Sequence, residues 1–269
     1  MADTFQRNED THMQINKWQK LNKNLKVGFT TRKGGQSQSP FNTLNLGLHV
    51  PDSQEDVLAN RQTLAKDINI PLESWVSGEQ THHTNVHIIK EEDIGKGATS
   101  YHSSLNDVDG LITNHAGILC TAFFADCVPL YFFDPEKGYI GIAHAGWKGT
   151  VHGISEKMVN TFKSLGVNTG SLLVAIGPCI SQDVYEVDEK VIGQIPEQYR
   201  RKTVIPKENN RYLLDLKQLN VEILLQHGVV RHNIEVTEYC TFSDNDLFFS
   251  HRRDHGKTGR MLGYIGYTT

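Results

Sequence analysis

The sequence predicts an α+β fold, with a mixed or antiparallel β core and helices packed outside. Two observations favour this class: candidate strands outnumber candidate helices, and several strands are joined by short turns rather than by helices. A purely parallel, doubly wound sheet, the main alternative, needs a helical crossover between successive strands. The 269-residue chain can bury a large core. We expect one domain over residues 25–269, preceded by a lead-in over residues 1–24.

Three segments carry apolar residues at helical spacing. They lie at residues 53–68, 151–165 and 216–224. Ser53 is the expected N-cap of the first, while Gly166 and Gly228 end the second and the third. A shorter helical segment is expected between residues 13 and 21 of the lead-in.

Strand candidates combine β-branched and aromatic residues with flanking turn residues. They lie at residues 26–30, 86–89, 110–113, 118–125, 129–133, 139–143, 172–176, 234–236, 247–249 and 262–267. The Gly-, Ser- and Asn-rich residues 30–50 are expected to form a long irregular loop, which is often functional in a folded domain. The polar residues 200–211 are also expected to be a loop.

Composition and charge exclude several classes of protein. The net charge is −4 and no long run of Lys or Arg is present, which argues against nucleic-acid binding. No apolar stretch approaches the ~20 residues that a membrane span needs. The N-terminus lacks the apolar segment of a secretory signal. We therefore expect a cytoplasmic protein, a monomer or a homodimer, without a membrane partner.

Two segments place a thiol and an imidazole near each other. ADCVPLYFF (125–133) and HAGWKG (144–149) are separated by the predicted turn DPEKG, so Cys127 and His144 belong to neighbouring strands of one hairpin. THHTNVH (81–87) adds three more histidines. Zinc accepts thiolate and imidazole ligands, and two His with one Cys leave a fourth position open. Spacing along the sequence does not identify such a site. Each residue also has an ordinary structural explanation, as a surface histidine, a buried thiol or a residue next to a turn glycine.

Eight motifs follow one another after residue 25 and together resemble one family. They are FTTRKGGQSQSPFNTLNLGLHVPD (29–52), NR (60–61), GEQTHHTNV (78–86), VDGLIT (108–113), ADCVPL (125–130), HAGWKGT (144–150), IGPCISQDVYEV (176–187) and HRRDHGKTGRMLGYI (251–265). This order is similar to that of the YfiH/YlmD family, also called the laccase-domain or polyphenol-oxidase-like family. Its members are described as purine nucleoside phosphorylases. The resemblance implies a YfiH-like fold, similar to that of cysteine hydrolases.

The resemblance also implies a metal site and a reaction. His82, Cys127 and His144 fall on the family's metal ligands, although His83 stands where the family usually has glycine. The implied ion is zinc, with copper as the alternative. The implied substrates are phosphate and adenosine, inosine or methylthioadenosine. The implied products are the free base and a ribose 1-phosphate derivative, with deamination of adenosine as a side activity.

Other residues are candidates for binding substrate or for orienting the metal ligands. Arg61 is the first choice for binding phosphate and Arg32 the second, since a guanidinium matches phosphate geometry. Asp126 is expected to orient one of the two imidazoles from outside the metal's ligand set. Gln80 and Cys179 are candidates for contact with substrate. The C-terminal charges are expected to form a salt-bridged loop rather than to contact substrate: Arg252, Arg253, Asp254 and Arg260.

Three other functions remain open at this level. A copper-dependent polyphenol oxidase needs a second, multi-copper cluster built from many histidines, and the chain contains no H-x-H pair. A cysteine hydrolase would use Cys127 as nucleophile and His144 as base. A non-catalytic binding module would not need three converging metal-binding residues.

Overall fold

Mixed β sheets form the centre of the computed structural model, which describes residues 3–7 and 9–269. Residues 1, 2 and 8, part of the predicted lead-in, lie outside the described residues. The strands are β1 (Gln6–Arg7), β2 (His12–Gln14), β3 (Leu25–Thr30), β4 (Trp75–Ser77), β5 (Val86–Ile88), β6 (Gly110–Thr113), β7 (Leu119–Phe124), β8 (Val128–Phe133), β9 (Ile140–Ala145), β10 (Leu173–Ile176), β11 (Glu186–Asp188), β12 (Val204–Pro206), β13 (Arg211–Leu214), β14 (Ile234–Val236) and β15 (Met261–Tyr267).

The helices flank these strands. They are α1 (Asn16–Leu21), α2 (Gln54–Ile68), α3 (Trp147–Val151), α4 (Ile154–Ser164), α5 (Glu189–Ile192), α6 (Glu197–Thr203) and α7 (Leu216–Gln226). Among the described residues, none of these helices has the length and apolar character needed to cross a bilayer.

Two larger sheets and one small sheet contain the strands. Their orders are β1-β2-β3-β15-β7-β4, β14-β10-β8-β9-β6-β5 and β11-β13-β12. Most neighbours are antiparallel, whereas β4 with β7, β5 with β6 and β10 with β14 are parallel. The predicted α+β class with a mixed β core is confirmed.

Side-chain alternation along β8 explains the layering. Val128, Leu130 and Phe132 pack in the cluster that includes α4 and α7. Tyr131 and Phe133 instead pack between the two larger sheets. Since both faces of this strand are buried, its sequence is a continuous apolar run rather than an alternating one. The helix α2 covers the outer face of the first sheet in a third cluster.

The predicted helix signals are confirmed by the backbone. Ser53 caps α2, where its hydroxyl accepts a hydrogen bond from the Asp56 N–H at 3.3 Å. Gly166 and Gly228 follow α4 and α7 with φ of 77° and 97°, a left-handed conformation that favours glycine.

Two predictions were wrong. Residues 247–249 form no strand, because the Leu247 and Phe248 N–H groups bond to the Asp244 carbonyl in a turn. Phe248 and Phe249 are apolar because they are fully buried in the inter-sheet core, not because they belong to a sheet. Residues 200–211 are not a single loop, since they include the end of α6 and the strand β12 of the small sheet. Most residues of this sheet are exposed or half-buried, so its strands lack the apolar pattern of a core strand.

Candidate metal centre

Cys127 and His144 lie at one end of the β8–β9 hairpin, as predicted. Cys127 immediately precedes β8, and His144 on β9 is the register partner of Pro129. His144 alternates with Ile140 and Ile142, which face the space between the sheets. Its ring lies 5.6 Å from that of Phe124 on the opposite sheet. The hairpin therefore places a thiol and an imidazole at the edge of the inter-sheet core.

His82 reaches the same point from the loop that follows β4. Its Nε2 lies 3.9 Å from the Cys127 Sγ. Its ring centroid lies 4.7 Å from that of His144, at an interplanar angle of 78°. One nitrogen of each imidazole and the sulfur lie within 4.8 Å of one another. His82 has φ +64°, a conformation uncommon for a residue with a side chain and frequent at functional sites.

Asp109 orients both histidines and was not singled out by the sequence. Its Oδ1 bonds the Nδ1 of His144 at 2.9 Å, so the other ring nitrogen, Nε2, is the one that can serve as a metal ligand. The same buried carboxylate accepts three backbone N–H bonds from the loop that carries His82. The donors are Thr81 at 3.1 Å, His82 at 3.2 Å and His83 at 2.9 Å. The available signal was the acid in the motif VDGLIT.

The thiol and the buried imidazole stabilise each other's charged forms in the metal-free protein. Burial raises the pKa of Cys127, but the positive charge of His144 and hydrogen bonds from both histidines outweigh it and lower that pKa. Burial lowers the pKa of His144, but the Cys127 charge and the Asp109 hydrogen bond raise it above its ordinary value. The site thus favours a thiolate, the form that binds metals.

The three side chains fit a tetrahedral metal ion with one open position. Bonds of about 2.0–2.3 Å place the ligand atoms of zinc roughly 3.3–3.7 Å apart, so modest side-chain rotations would complete the set. Gly146 leaves the necessary room. A Cβ at this position would lie 2.9 Å from Cδ2 of His82 and 3.0 Å from Sγ of Cys127.

A cavity of about 490 Å³ opens directly above these ligands. Aromatic rings and cations contribute much of its wall. The lining residues are His49, Glu79, Gln80, His82, Tyr101, Phe123, Ala125, Asp126, Cys127, His144, Trp147, Lys148, Ile180, Tyr185, Leu216, His251, Arg252 and Arg260.

Gln80 and Asp126, both predicted site residues, line this cavity. The Gln80 amide makes two hydrogen bonds with the Phe123 backbone, which hold the loop that carries His82 to β7. Among the described residues, Asp126 makes no hydrogen bond to the imidazole of His82 or His144. Its oxygens accept bonds from Thr241, Ser250 and the Arg252 N–H. The bond to a candidate ligand imidazole that was expected of Asp126 is instead made by Asp109.

Arg61 lies outside the cavity, in contrast to the phosphate-binding role expected from the sequence. Its side chain is 1% exposed and donates to three backbone carbonyls, those of Leu46, Gly97 and Ala98. Its guanidinium also stacks on the Phe123 ring, at 4.7 Å from the ring centroid. These contacts favour a structural role, in which the cation ties α2 to two loops.

Arg32 and Cys179 also lie apart from the metal ligands. Arg32 lines a second cavity with Lys33 and Asn245, and donates to the Asn42 carbonyl. Cys179 is fully buried and forms a β-bridge with Cys240. Burial raises the pKa of Cys179 to about 12, which is typical of an inert structural thiol.

One group of metal-binding side chains is present within residues 3–7 and 9–269. It consists of His82, Cys127 and His144, whose potential ligand atoms lie close together. These residues offer a mononuclear site and no second ligand cluster of the kind that multi-copper oxidases use.

Comparison with known proteins places this geometry in a family. The profile described as "Multi-copper polyphenol oxidoreductase laccase" matches residues 26–268. Purine nucleoside phosphorylase YlmD of Bacillus subtilis is 44% identical over 260 residues, which are 94% of each chain. The protein of the same name from Geobacillus stearothermophilus is 44% identical over 244 residues, 89% of each chain.

Solved structures agree with the sequence comparison. The crystal structure of the hypothetical protein YfiH from Bacillus licheniformis has a TM-score of 0.95 at 39% identity, covering 99% of this chain and 100% of that one. YlmD from Geobacillus stearothermophilus has a TM-score of 0.94 at 39% identity over all of both chains. The ordered motifs, the shared fold and the extent of these matches show that this chain belongs to the YfiH/YlmD laccase-domain family.

Proposed function

We propose that the protein is a zinc-dependent purine nucleoside phosphorylase with adenosine deamination as a side activity. The observation that carries this proposal is the convergence of His82, Cys127 and His144 on the floor of one cavity. A cavity of about 490 Å³ falls within the range of roughly 300–1,000 Å³ that is usual for small-molecule sites. Relatives at 44% identity carry the name purine nucleoside phosphorylase.

The cavity wall suits the two substrates of phosphorolysis. Phe123, Tyr101, Trp147 and Tyr185 offer aromatic faces on which a purine ring can stack. Cationic side chains on the same wall suit phosphate, which is an anion. Adenosine, inosine and methylthioadenosine share the purine and ribose that these surfaces would hold.

The reaction makes one bond and breaks another at the ribose. A phosphate oxygen attacks C1′ while the C1′–N9 bond breaks, and its electron pair leaves with the purine. A zinc ion held by the three ligands would supply positive charge and an acidified water. Asp109 would keep His144 in one tautomer and orientation through its Nδ1 bond. The aromatic wall would exclude bulk water from the reacting ribose.

The test is release of hypoxanthine from inosine with and without phosphate. We expect release that depends on phosphate, that disappears in Cys127→Ala and His82→Ala, and that persists in His83→Ala. The adjacent His83 is the matched control, because its ring is exposed and bonds Asp107 instead of facing the other ligands. Absence of release from any purine nucleoside by the metal-loaded protein would reject the proposal. Formation of inosine from adenosine without phosphate tests the deaminase activity separately.

The metal is tested on the same sample. Elemental analysis of the purified protein separates zinc from copper, and reconstitution of chelator-treated protein shows which ion restores release. Full activity in zinc-loaded, copper-free protein would eliminate the polyphenol oxidase alternative. Oxidation of a phenol that appears only in the copper-loaded protein, with no release of base under either ion, would favour it.

A cysteine hydrolase is the second candidate, favoured by one observation. Cys127, His144 and Asp109 form the sequence of nucleophile, base and orienting carboxylate that such enzymes use. His82 has no role in that scheme, yet it lies 3.9 Å from the thiol, which favours the metal site. A hydrolase would work without metal and be inhibited by added zinc, whereas the proposed phosphorylase would be inactivated by chelation.

A further inference from the structure

We infer that Arg260 is the residue that binds the phosphate co-substrate beside the three proposed metal ligands. This inference rests on the proposed function and names the part of the cavity that receives the anion. The sequence predicted a salt-bridged C-terminal loop that included Arg260. The structure forms one of these bridges, between Arg253 and Asp254, but gives Arg260 no ion pair among the described residues.

The backbone of Arg260 is held rigidly at the cavity. It immediately precedes β15, its N–H donates to the buried Asn45 side chain at 2.9 Å, and its carbonyl accepts from Leu46 at 3.1 Å. Gly47 gives the side chain its space. A Cβ on Gly47 would lie 2.8 Å from the Cγ of Arg260. The loop over residues 30–50 and the C-terminal strand thus fix one arginine together.

The guanidinium of Arg260 keeps an unused donor edge. Its Nη1 donates to the carbonyls of Thr258 at 2.8 Å and Gly259 at 3.0 Å. Its Nε and Nη2 meet no hydrogen-bond acceptor within the described part of the chain. These two nitrogens form the edge that binds an oxyanion through paired hydrogen bonds. Burial lowers the pKa of Arg260, while the charges of Cys127 and Asp126 oppose that shift. A half-buried cation with a free edge, next to a metal site, is suited to an anionic ligand.

Other basic residues are less suited to this role. Arg61 is sealed in the interior and Arg32 lines the second cavity. Arg252 and Lys148 line the same cavity but are solvent-exposed, and each lies over an aromatic ring, those of Tyr185 and Trp147. Exposed cations bind phosphate weakly because water competes for the same hydrogen bonds.

The experiment compares Arg260→Gln and Arg260→Lys with Arg32→Gln as the matched control. Initial rates of base release from inosine give KM for phosphate and KM for inosine separately. We expect Arg260→Gln to raise the phosphate KM by about 10- to 100-fold, the loss typical of a charge-assisted hydrogen-bonded pair, and to change the inosine KM by less than about twofold. Arg260→Lys keeps the charge without the paired donors and should give an intermediate rise. Arg32→Gln should leave both constants unchanged.

A binding measurement keeps the inference separate from the reaction. We expect phosphate to raise the unfolding temperature of the wild-type protein at constant ionic strength, with chloride as the reference anion, and Arg260→Gln to lose this rise. Wild-type protein that is stabilised by phosphate but releases no base would reject the proposed function and retain the anion site. Phosphate KM and stabilisation equal to wild type in both Arg260 variants would overturn the inference, as would a wild-type protein that phosphate does not stabilise. If Arg260→Gln fails to fold, Arg260→Lys decides the question.

Discussion

The substitution Asp109→Asn tests how the metal site is held together. Each carboxylate oxygen of Asp109 accepts a backbone N–H from the residues 81–83 loop, and Oδ1 also accepts from His144. In Asp109→Asn, the side-chain NH₂ group must replace one of these two oxygens. In either orientation it therefore faces a backbone N–H donor instead of an acceptor. A buried donor left without an acceptor costs about 1–3 kcal/mol of unfolding free energy. Loss of a carboxylate that orients a ligand histidine lowers metal affinity about 10–100-fold, or roughly 1.4–2.7 kcal/mol.

The assay is competition for zinc with a chromogenic chelator, together with denaturant unfolding of the metal-free protein. Asp107→Asn is the matched control, because it makes the same substitution two residues earlier in the chain. Its carboxylate bonds Thr81, His83 and Asn85 at a half-exposed position and does not contact a proposed ligand ring. We expect the control to keep zinc affinity within about threefold of wild type, as an exposed polar contact contributes little.

Two results would contradict a role for Asp109 in orienting His144. Asp109→Asn with wild-type zinc affinity and reduced stability would show that Asp109 supports only the loop. Equal loss of affinity in both variants would show that the effect does not depend on the bond to His144.

Three further predictions concern packing and charge. Gly146→Ala should weaken zinc binding measurably with little change in the unfolding free energy, because its Cβ would lie 3.0 Å from the Cys127 Sγ; chelator competition checks this. Arg61→Met should lower the unfolding free energy by about 2–5 kcal/mol in denaturant titration, because it leaves buried carbonyls unpaired. Burial raises the pKa of Asp93, but hydrogen bonds from Lys96 and two other donors outweigh burial and lower that pKa below its ordinary value. The ionised Asp93 carboxylate therefore stabilises the fold above about pH 4, and this stabilisation is lost on further acidification. Asp93→Asn should therefore lower stability at pH 7 and flatten the loss between about pH 5 and pH 2 in acid unfolding.

Each of these three predictions has a distinct contrary outcome. Unchanged zinc affinity in Gly146→Ala would mean that a Cβ at this position does not obstruct the ligand side chains. Arg61→Met with wild-type stability and a raised phosphate KM would restore the phosphate-binding role expected from the sequence. If the stability of Asp93→Asn and of wild type falls equally with decreasing pH, Asp93 does not contribute to acid unfolding.

Local pattern was sufficient for much of the fold. The helices α2, α4 and α7 and the β8–β9 hairpin follow from periodicity, capping residues and turn chemistry that lie within a few residues of each element. The strand predicted at residues 247–249 was wrong, because burial of Phe248 and Phe249 produces the same apolar run as a core strand. Single-sequence patterns report burial, and only the hydrogen-bond partners distinguish a buried loop from a strand.

The same distinction between local pattern and tertiary contacts applies to the candidate site. His82, Cys127 and His144 could be predicted as metal ligands from the amino-acid sequence, because each lies in a contiguous family motif. Three features of the site follow only from the folded chain: Asp109 bonds His144, Arg61 is buried, and Arg260 lines the cavity. These facts depend on which donors and acceptors meet across segments tens to hundreds of residues apart, and no local spacing encodes such meetings.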